Sequence, residues 1–128
     1  MGRFWSRVVG DSAEQLAHDF LVAKGLVPLR RNFRCRLGEI DLVMADGNML
    51  VIVEVRFRTS RSLTPAHLTV DYRKQRKLIH TAAMLTKDVP KWQHWPMRFD
   101  VVGIDTNGDN ENRVTWIRDA FRPGETRL

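Results

Sequence analysis

Several absences narrow the reading before any motif does. The chain carries one cysteine, Cys35, in 128 residues, so no internal disulfide can form and no Cys/His metal spacing exists. Flanked by Arg34 and Arg36, that thiol reads as inert and fits a reducing compartment. No stretch approaches the ~20 apolar residues of a membrane span, and the N-terminal residues lack the apolar region of a secretory signal. The expectation is a soluble, cytoplasmic protein with no membrane partner. There is no internal repeat and no composition shift that would mark a linker, so residues 1–128 read as a single domain, long enough to bury a core without staples. Acids are the minority charge: 15 Asp and Glu against 21 Lys and Arg leave a net charge of +6. A basic balance of this size points to a polyanionic partner gripped by the periphery.

Against that background the acids concentrate where they are least expected. Residues 38–58 read GEIDLVMADGNMLVIVEVRFR, two apolar runs around the turn signal Asp46-Gly47-Asn48, with acids inside both runs. A two-residue loop at Asp46 and Gly47 predicts a hairpin with Glu39 opposite Glu54 and Asp41 opposite Ile52. Alternation then puts Glu39, Asp41, Ile52, Glu54 and Arg56 on one face and Ile40, Leu42, Val51, Val53, Val55 and Phe57 on the other. Three carboxylates on one half-buried patch repel one another unless a cation compensates. Oxygen donors of this kind suit Mg²⁺ or Mn²⁺, which hold a few carboxylates and keep positions open for water and phosphate oxygens. The competing account is a structural network of ion pairs with nearby arginines.

The flanking segments supply a frame. Residues 1–9 read as a basic arm. Ser12 and Gln15 form a capping-box signature ahead of Ala13, Leu16, Ala17, Phe20 and Leu21 at helical spacing, with Gly25 as a stop. Glu14 is either a first-turn acid favouring the helix dipole or leans over the sheet as a further ligand or water-orienting group. Leu26 to Phe33 reads as a strand, with Pro28 placing it at the sheet edge or marking the strand's beginning. Arg30, Arg31, Arg34 and Arg36 follow it, a solvated edge or a surface tracking phosphates. The polar run RFRTSRSLT after the hairpin, with Arg58 and Arg61, reads as a functional loop. A second helix starts at Thr64-Pro65 or near Thr69 and Val70 and continues to about Lys87, burying Leu78, Ala82, Ala83 and Leu85. Arg73, Lys74, Arg76 and Lys77 crowd its first turns, either as a solvated helix face or as a site where anion binding would offset their conflict with the dipole. Trp92 and Trp95 either cover a core edge or offer a platform to unstacked bases. Met97 to Ile104 is a further strand, in which Arg98 and Asp100 could add a charge pair near the acidic patch. Arg113 to Ile117 is a last short strand, and residues 119–128 form a tail. The order is α-β-β-β-α-β-β: an α/β domain with a mixed sheet flanked by helices.

Gly10 with Glu14, Asn32, the run Gly38-Glu39-Ile40-Asp41-Leu42, Val53-Glu54-Val55, Lys74, Ala83 and Arg98-Phe99-Asp100 together resemble the YraN-type bacterial family, over most of residues 8 to 104. That family is assigned to the PD-(D/E)XK nuclease superfamily, near archaeal Holliday-junction resolvases, and the likeness implies a restriction-endonuclease-like fold. It implies that Asp41 and Glu54 hold Mg²⁺ (or Mn²⁺) with the Val55 carbonyl as a further ligand, and that Glu14 is the helix-borne acid of resolvase-like members. The family pattern expects lysine two residues after the glutamate, where this chain has Arg56. Arginine stabilises developing negative charge but stays protonated and is a poor general base. Lys74 would then supply an ammonium from the second helix. The implied function is a metal-dependent endonuclease on branched or otherwise structured DNA, with Arg30, Arg31, Arg34, Arg36, Arg58, Arg61, Arg73, Arg76 and Lys77 gripping nucleic acid. A silent nucleic-acid-binding module and a basic interaction protein are the alternatives. Resolvase relatives work as dimers on two-fold substrates, so a homodimer follows by analogy only.

Overall fold

The computed structural model describes residues 3–59, 64–106 and 111–124, and side chains from residue 12 onward. Its elements are α1 (Arg3–Ala23), β1 (Val27–Cys35), β2 (Gly38–Asp46), β3 (Met49–Thr59), α2 (Tyr72–Asp88), β4 (Met97–Thr106) and β5 (Asn112–Phe121), with a 3₁₀ turn at Ala66–Thr69 before α2. This is the mixed α/β order that the patterning predicts. The five strands lie in the sheet in chain order. β1, β2 and β3 form an antiparallel meander, β4 runs parallel to β3, and β5 returns antiparallel to β4. A parallel pair needs a crossover, and α2 provides it between β3 and β4.

The helices cover opposite faces. From α1, Ala13, Ala17 and Leu21 pack on Leu42, Met44, Val51, Val53, Val102 and Ile104. From α2, Leu78, Ala82 and Leu85 pack on Phe33, Ile40, Val43, Ile52, Phe99 and Val101. β2, β3 and β4 are buried on both faces, which is why their sequences run apolar with little alternation. No helix among the described residues is long and apolar enough to cross a membrane.

Several boundaries differ from the sequence expectations. The first helix begins at Arg3, inside the segment read as an arm; a capping signature within a longer helix is no barrier, because serine costs only about 0.5 kcal/mol there. α2 begins at Tyr72 because Asp71 caps it, accepting a hydrogen bond from the Lys74 backbone N–H. On α2, Thr81 is buried and Ala83 is exposed, the reverse of the expected stripe at that turn; the Thr81 hydroxyl donates to the Lys77 carbonyl and needs no outside partner. β5 runs to Phe121, into the expected tail, of which residues 125–128 lie outside the described ones.

The hairpin turn corrects the expected register. Gly47 and Asn48 form the loop, with Asp46 opposite Met49 and Leu42 opposite Val53. Gly47, at φ +62°, takes the first central position, where a positive φ is required. Reading Asp46-Gly47 as the central pair slips the register by two residues. The true register carries Asp41 past Ile52 to the level of Glu54.

Arg98 and Asp100 also stand apart from the expected place. Asp100, 1 % exposed, receives the Arg98 guanidinium through Nε at 2.9 Å and through its second terminal nitrogen at 3.1 Å. Trp116 Nε1 and the Asp119 backbone N–H donate to the same carboxylate, and Arg98 also reaches Asp46 at 2.8 Å. The network therefore ties the β2–β3 turn to β4 and β5 at the sheet end opposite Asp41. A buried carboxylate whose partners are all fixed is expensive to break, so Asp100→Ala should lower unfolding free energy by about 3–5 kcal/mol in urea titrations. A loss below about 1 kcal/mol would show that the network carries little of the fold.

Candidate active site

The site forms where the β2–β3 ladder stops. Paired residues end at Leu42 and Val53; one residue further, Asp41 Oδ2 accepts the Val55 backbone N–H at 2.8 Å. A side chain thus takes the place of a strand partner. The cause lies in β1, where Asn32 adopts φ +53°. Arg31 and its partner Leu42 face α1, whereas Phe33 and its partner Ile40 pack under α2. Both strands change face at Asn32 and Asp41, so Ile40 leaves the set expected to contain Leu42, Val51, Val53, Val55 and Phe57.

Asp41 and Glu54 come together there. Glu54 is 3 % exposed, and its carboxyl faces that of Asp41 in one cleft, close enough for each to shift the other. Burial, then the charge of Asp41, pushes Glu54 up from 4.5 to about 8. Burial also raises Asp41, against the Val55 N–H that favours its charged form. Both shifts favour keeping one proton on the pair, on the Glu54 side. Compensation is partial: Lys74 Nζ lies 3.4 Å and the Arg56 guanidinium 3.5 Å from Glu54 Oε2. Among the described residues, no cation stands within ion-pair distance of Asp41.

All five residues that sequence reasoning assigns to catalysis, Glu14, Asp41, Glu54, Arg56 and Lys74, line one open cleft of about 240 Å³, together with Glu39 and Val55. Glu14 leans over the sheet from α1, as the second of its two readings required. The Asn32 amide, with its nitrogen turned toward the acid, donates to Glu14 at 3.0 and 3.3 Å, and Arg31 approaches it at 4.0 Å. Glu39 sits at the rim, half exposed and paired with Arg34 at 3.1 Å. Arg56 is pinned from the side: its Nε donates to Thr69 Oγ1 at 2.8 Å, and that hydroxyl donates to the Ala66 carbonyl at 2.6 Å. The Asp105 carboxylate in turn holds the Ala66 N–H at 2.9 Å.

Thr69 and Asn32 are the residues whose roles sequence reasoning missed. Nothing in a lone threonine before a helix marks it as an arginine anchor. The signal for Asn32 was its residue type, since asparagine is among the few residues that tolerate a left-handed backbone.

The basic residues separate into groups. Arg34, Lys74 and Lys77 line a second cleft beside the first. Arg31 is turned toward α1, donating to Gln15 at 2.8 Å. Arg30 lies over the Phe33 ring at 5.0 Å, and Arg76 over Tyr72 at 5.8 Å. Arg36, Arg58, Arg73 and Arg76 are exposed and line neither cleft. Arg61 lies outside the described residues. Trp92 is buried in the core under α2, which rules it out as a base platform, and Trp95, partly exposed, packs against that core as the core-edge reading expects.

The fold and site define a mixed α/β domain with a pair of carboxyl groups brought together at the end of its central hairpin. Residues 13–104 match the model of "Uncharacterised protein family UPF0102", and the chain belongs to that family. A UPF0102 protein of Pseudomonas paraeruginosa is 43% identical over 117 residues, covering 91% of this chain and 94% of the relative. Another, from Stutzerimonas stutzeri, is 46% identical over 116 residues, covering 91% and 96%. A third, from Nitrosococcus oceani, is 44% identical over 113 residues, covering 88% and 90%.

The shared proton has a sign. Between about 4.5 and about 8 the native Glu54 binds a proton that the unfolded chain has released, so unfolding free energy falls as pH rises through that window and is fully retained below it. Asp41 acts in the same direction. The lowered Asp19 and Asp119 are on the surface and act only below about pH 4. Thermal melts should therefore lose stability from pH 5 to pH 8, by on the order of a few kcal/mol. Glu54→Gln should flatten the profile and raise stability at pH 8. A wild-type profile that is flat or rising across this range contradicts the shared proton.

Proposed function

We propose that the chain is a metal-dependent endonuclease of the PD-(D/E)XK type, hydrolysing phosphodiesters in branched or otherwise structured DNA. The observation that carries the reading is the contact between Asp41 and Glu54 in an open cleft, short of positive charge and bordered by cationic side chains. The fit to a dication is chemical. Among the described residues no group of three or more His, Cys, Asp or Glu side chains is disposed to hold a metal. Two carboxylates and a backbone carbonyl make the sparse oxygen shell that Mg²⁺ accepts when water and phosphate oxygens complete it. In this reading Asp41 and Glu54 are the ligands, with the Val55 carbonyl beside them. A bound Mg²⁺ or Mn²⁺ would polarise the scissile phosphate and lower the pKa of the attacking water.

The chain's own residues do the rest. Asp41 is aimed by the Val55 N–H, which leaves one of its oxygens for the cleft. Arg56, fixed by Thr69, presents guanidinium donors to the negative charge that develops on phosphate oxygens. It removes no proton from water. Lys74 adds an ammonium on the same side of Glu54. Glu14, held by Asn32, is placed to accept a hydrogen bond from water in the cleft.

Arg56 also favours a second reading, a module that binds nucleic acid without cutting it, because the lysine expected at that position is absent and arginine is a poor general base. One experiment separates the two. Incubated with branched and linear DNA and Mg²⁺ or Mn²⁺, the protein should cut. Asp41→Ala and Glu54→Ala should each lower the rate by about 100-fold or more while leaving salt-sensitive binding in place. Binding with no cutting under either metal supports the module, and cutting that survives both substitutions overturns the assignment of the site.

A further inference from the structure

Beside the carboxylate cleft lies a second one of about 290 Å³, lined by Arg34, Cys35, Gly38, Glu39, Lys74, Lys77 and Leu78. The two share Glu39 and Lys74 and so adjoin across a common wall. Their chemistry differs. Glu14, Asp41 and Glu54 are confined to the first cleft, whereas the second sets three cations against one carboxylate. That carboxylate, Glu39, is already held by Arg34 Nε at 3.1 Å, which engages one of the five guanidinium donors. Lys77 has no acidic partner among the described residues. Lys74 and Lys77, three residues apart on α2, project to neighbouring positions. Opposite them the β1–β2 turn closes tightly on α2, because a Cβ on Gly38 would meet Thr81 Oγ1 at 2.9 Å. The spacing of the two walls is therefore fixed.

We propose that this basic cleft is a second phosphate subsite, seating the backbone phosphate next to the one at Asp41 and Glu54. The inference rests on the nuclease reading and deepens it: the strand crosses Lys74, and the cleft grips it through phosphate. A single carboxylate already engaged by Arg34 makes a poor seat for a metal ion, while Lys77 is left unpaired among the described residues beside Lys74, whose ammonium also lies 3.4 Å from Glu54 Oε2. The small apolar floor of Leu78 and Cys35 offers no ring on which a base would stack. Recognition there is by charge and is indifferent to base sequence.

Cys35, the single cysteine of the chain, reports occupancy directly. Its alkylation by neutral N-ethylmaleimide is followed with and without a short branched oligodeoxynucleotide in EDTA, where cutting is blocked, while fluorescence anisotropy records binding. At oligonucleotide concentrations about ten times Kd, alkylation should slow about ten-fold. Lys77→Ala should remove most of that protection and reduce the slope of log affinity against log salt by about 1, whereas Lys91→Ala, beyond the far end of α2, should change neither. If the oligonucleotide binds and Cys35 reacts at its free rate, the subsite is refuted while the metal site stands. If no oligonucleotide binds at all, the subsite falls together with the reading beneath it.

Discussion

Burying Glu54 beside Asp41 costs free energy that neither group can recover alone. A carboxylate taken out of water is unfavourable, and a second one in contact makes it more so. The structure meets this by keeping a proton on Glu54 and by bringing Lys74 and Arg56 to one of its oxygens. Several features of the surrounding architecture converge on the pair. The β2–β3 ladder ends so that Asp41 can take the Val55 N–H. β1 bends at Asn32, which turns Phe33 and Ile40 under α2 and leaves the Asn32 amide at Glu14. The 3₁₀ turn between β3 and α2 exists in part to hold Thr69 against Arg56.

The two charged clusters of the sheet make an instructive contrast. At one end, Asp100 is fully buried but satisfied by the Arg98 fork, an indole N–H and a backbone N–H. It has no unmet demand and holds strands together. At the other end, Asp41 has one backbone donor and an acid as its neighbour. Both clusters place acids in strand interiors, yet the first satisfies its acid completely and the second sets two acids against each other. That difference in partners, more than the residue types, separates the two clusters.

The sequence made the arrangement of elements legible because the signals were strong and redundant: long apolar strands, two amphipathic helices and a glycine-bearing turn. It also made the composition of the cleft legible, since Glu14, Asp41, Glu54, Arg56 and Lys74 all line it. Register was less accessible. Asp46-Gly47 and Gly47-Asn48 are both good turn centres, and only the backbone decides which is used. Ile40 was assigned to the wrong face because strict alternation fails wherever a residue such as Asn32 takes a positive φ. Arg98 and Asp100 looked like part of the acidic patch because their distance from Asp41 depends on the parallel pairing of β3 and β4, which no local pattern encodes. Thr69 was invisible because its role arises only from the fold of a turn against a strand.

The central claim is that the carboxyl pair holds a proton which a dication would replace. Ligand carboxylates must be deprotonated, so metal binding at this pair has to release what they share. Titrating the protein with Mn²⁺ by calorimetry at pH 7, in buffers of different ionisation enthalpy, measures that release. About one proton should leave per ion bound, and none in Glu54→Gln. Binding to the wild-type protein with no proton release, or release that persists unchanged in Glu54→Gln, would contradict the account.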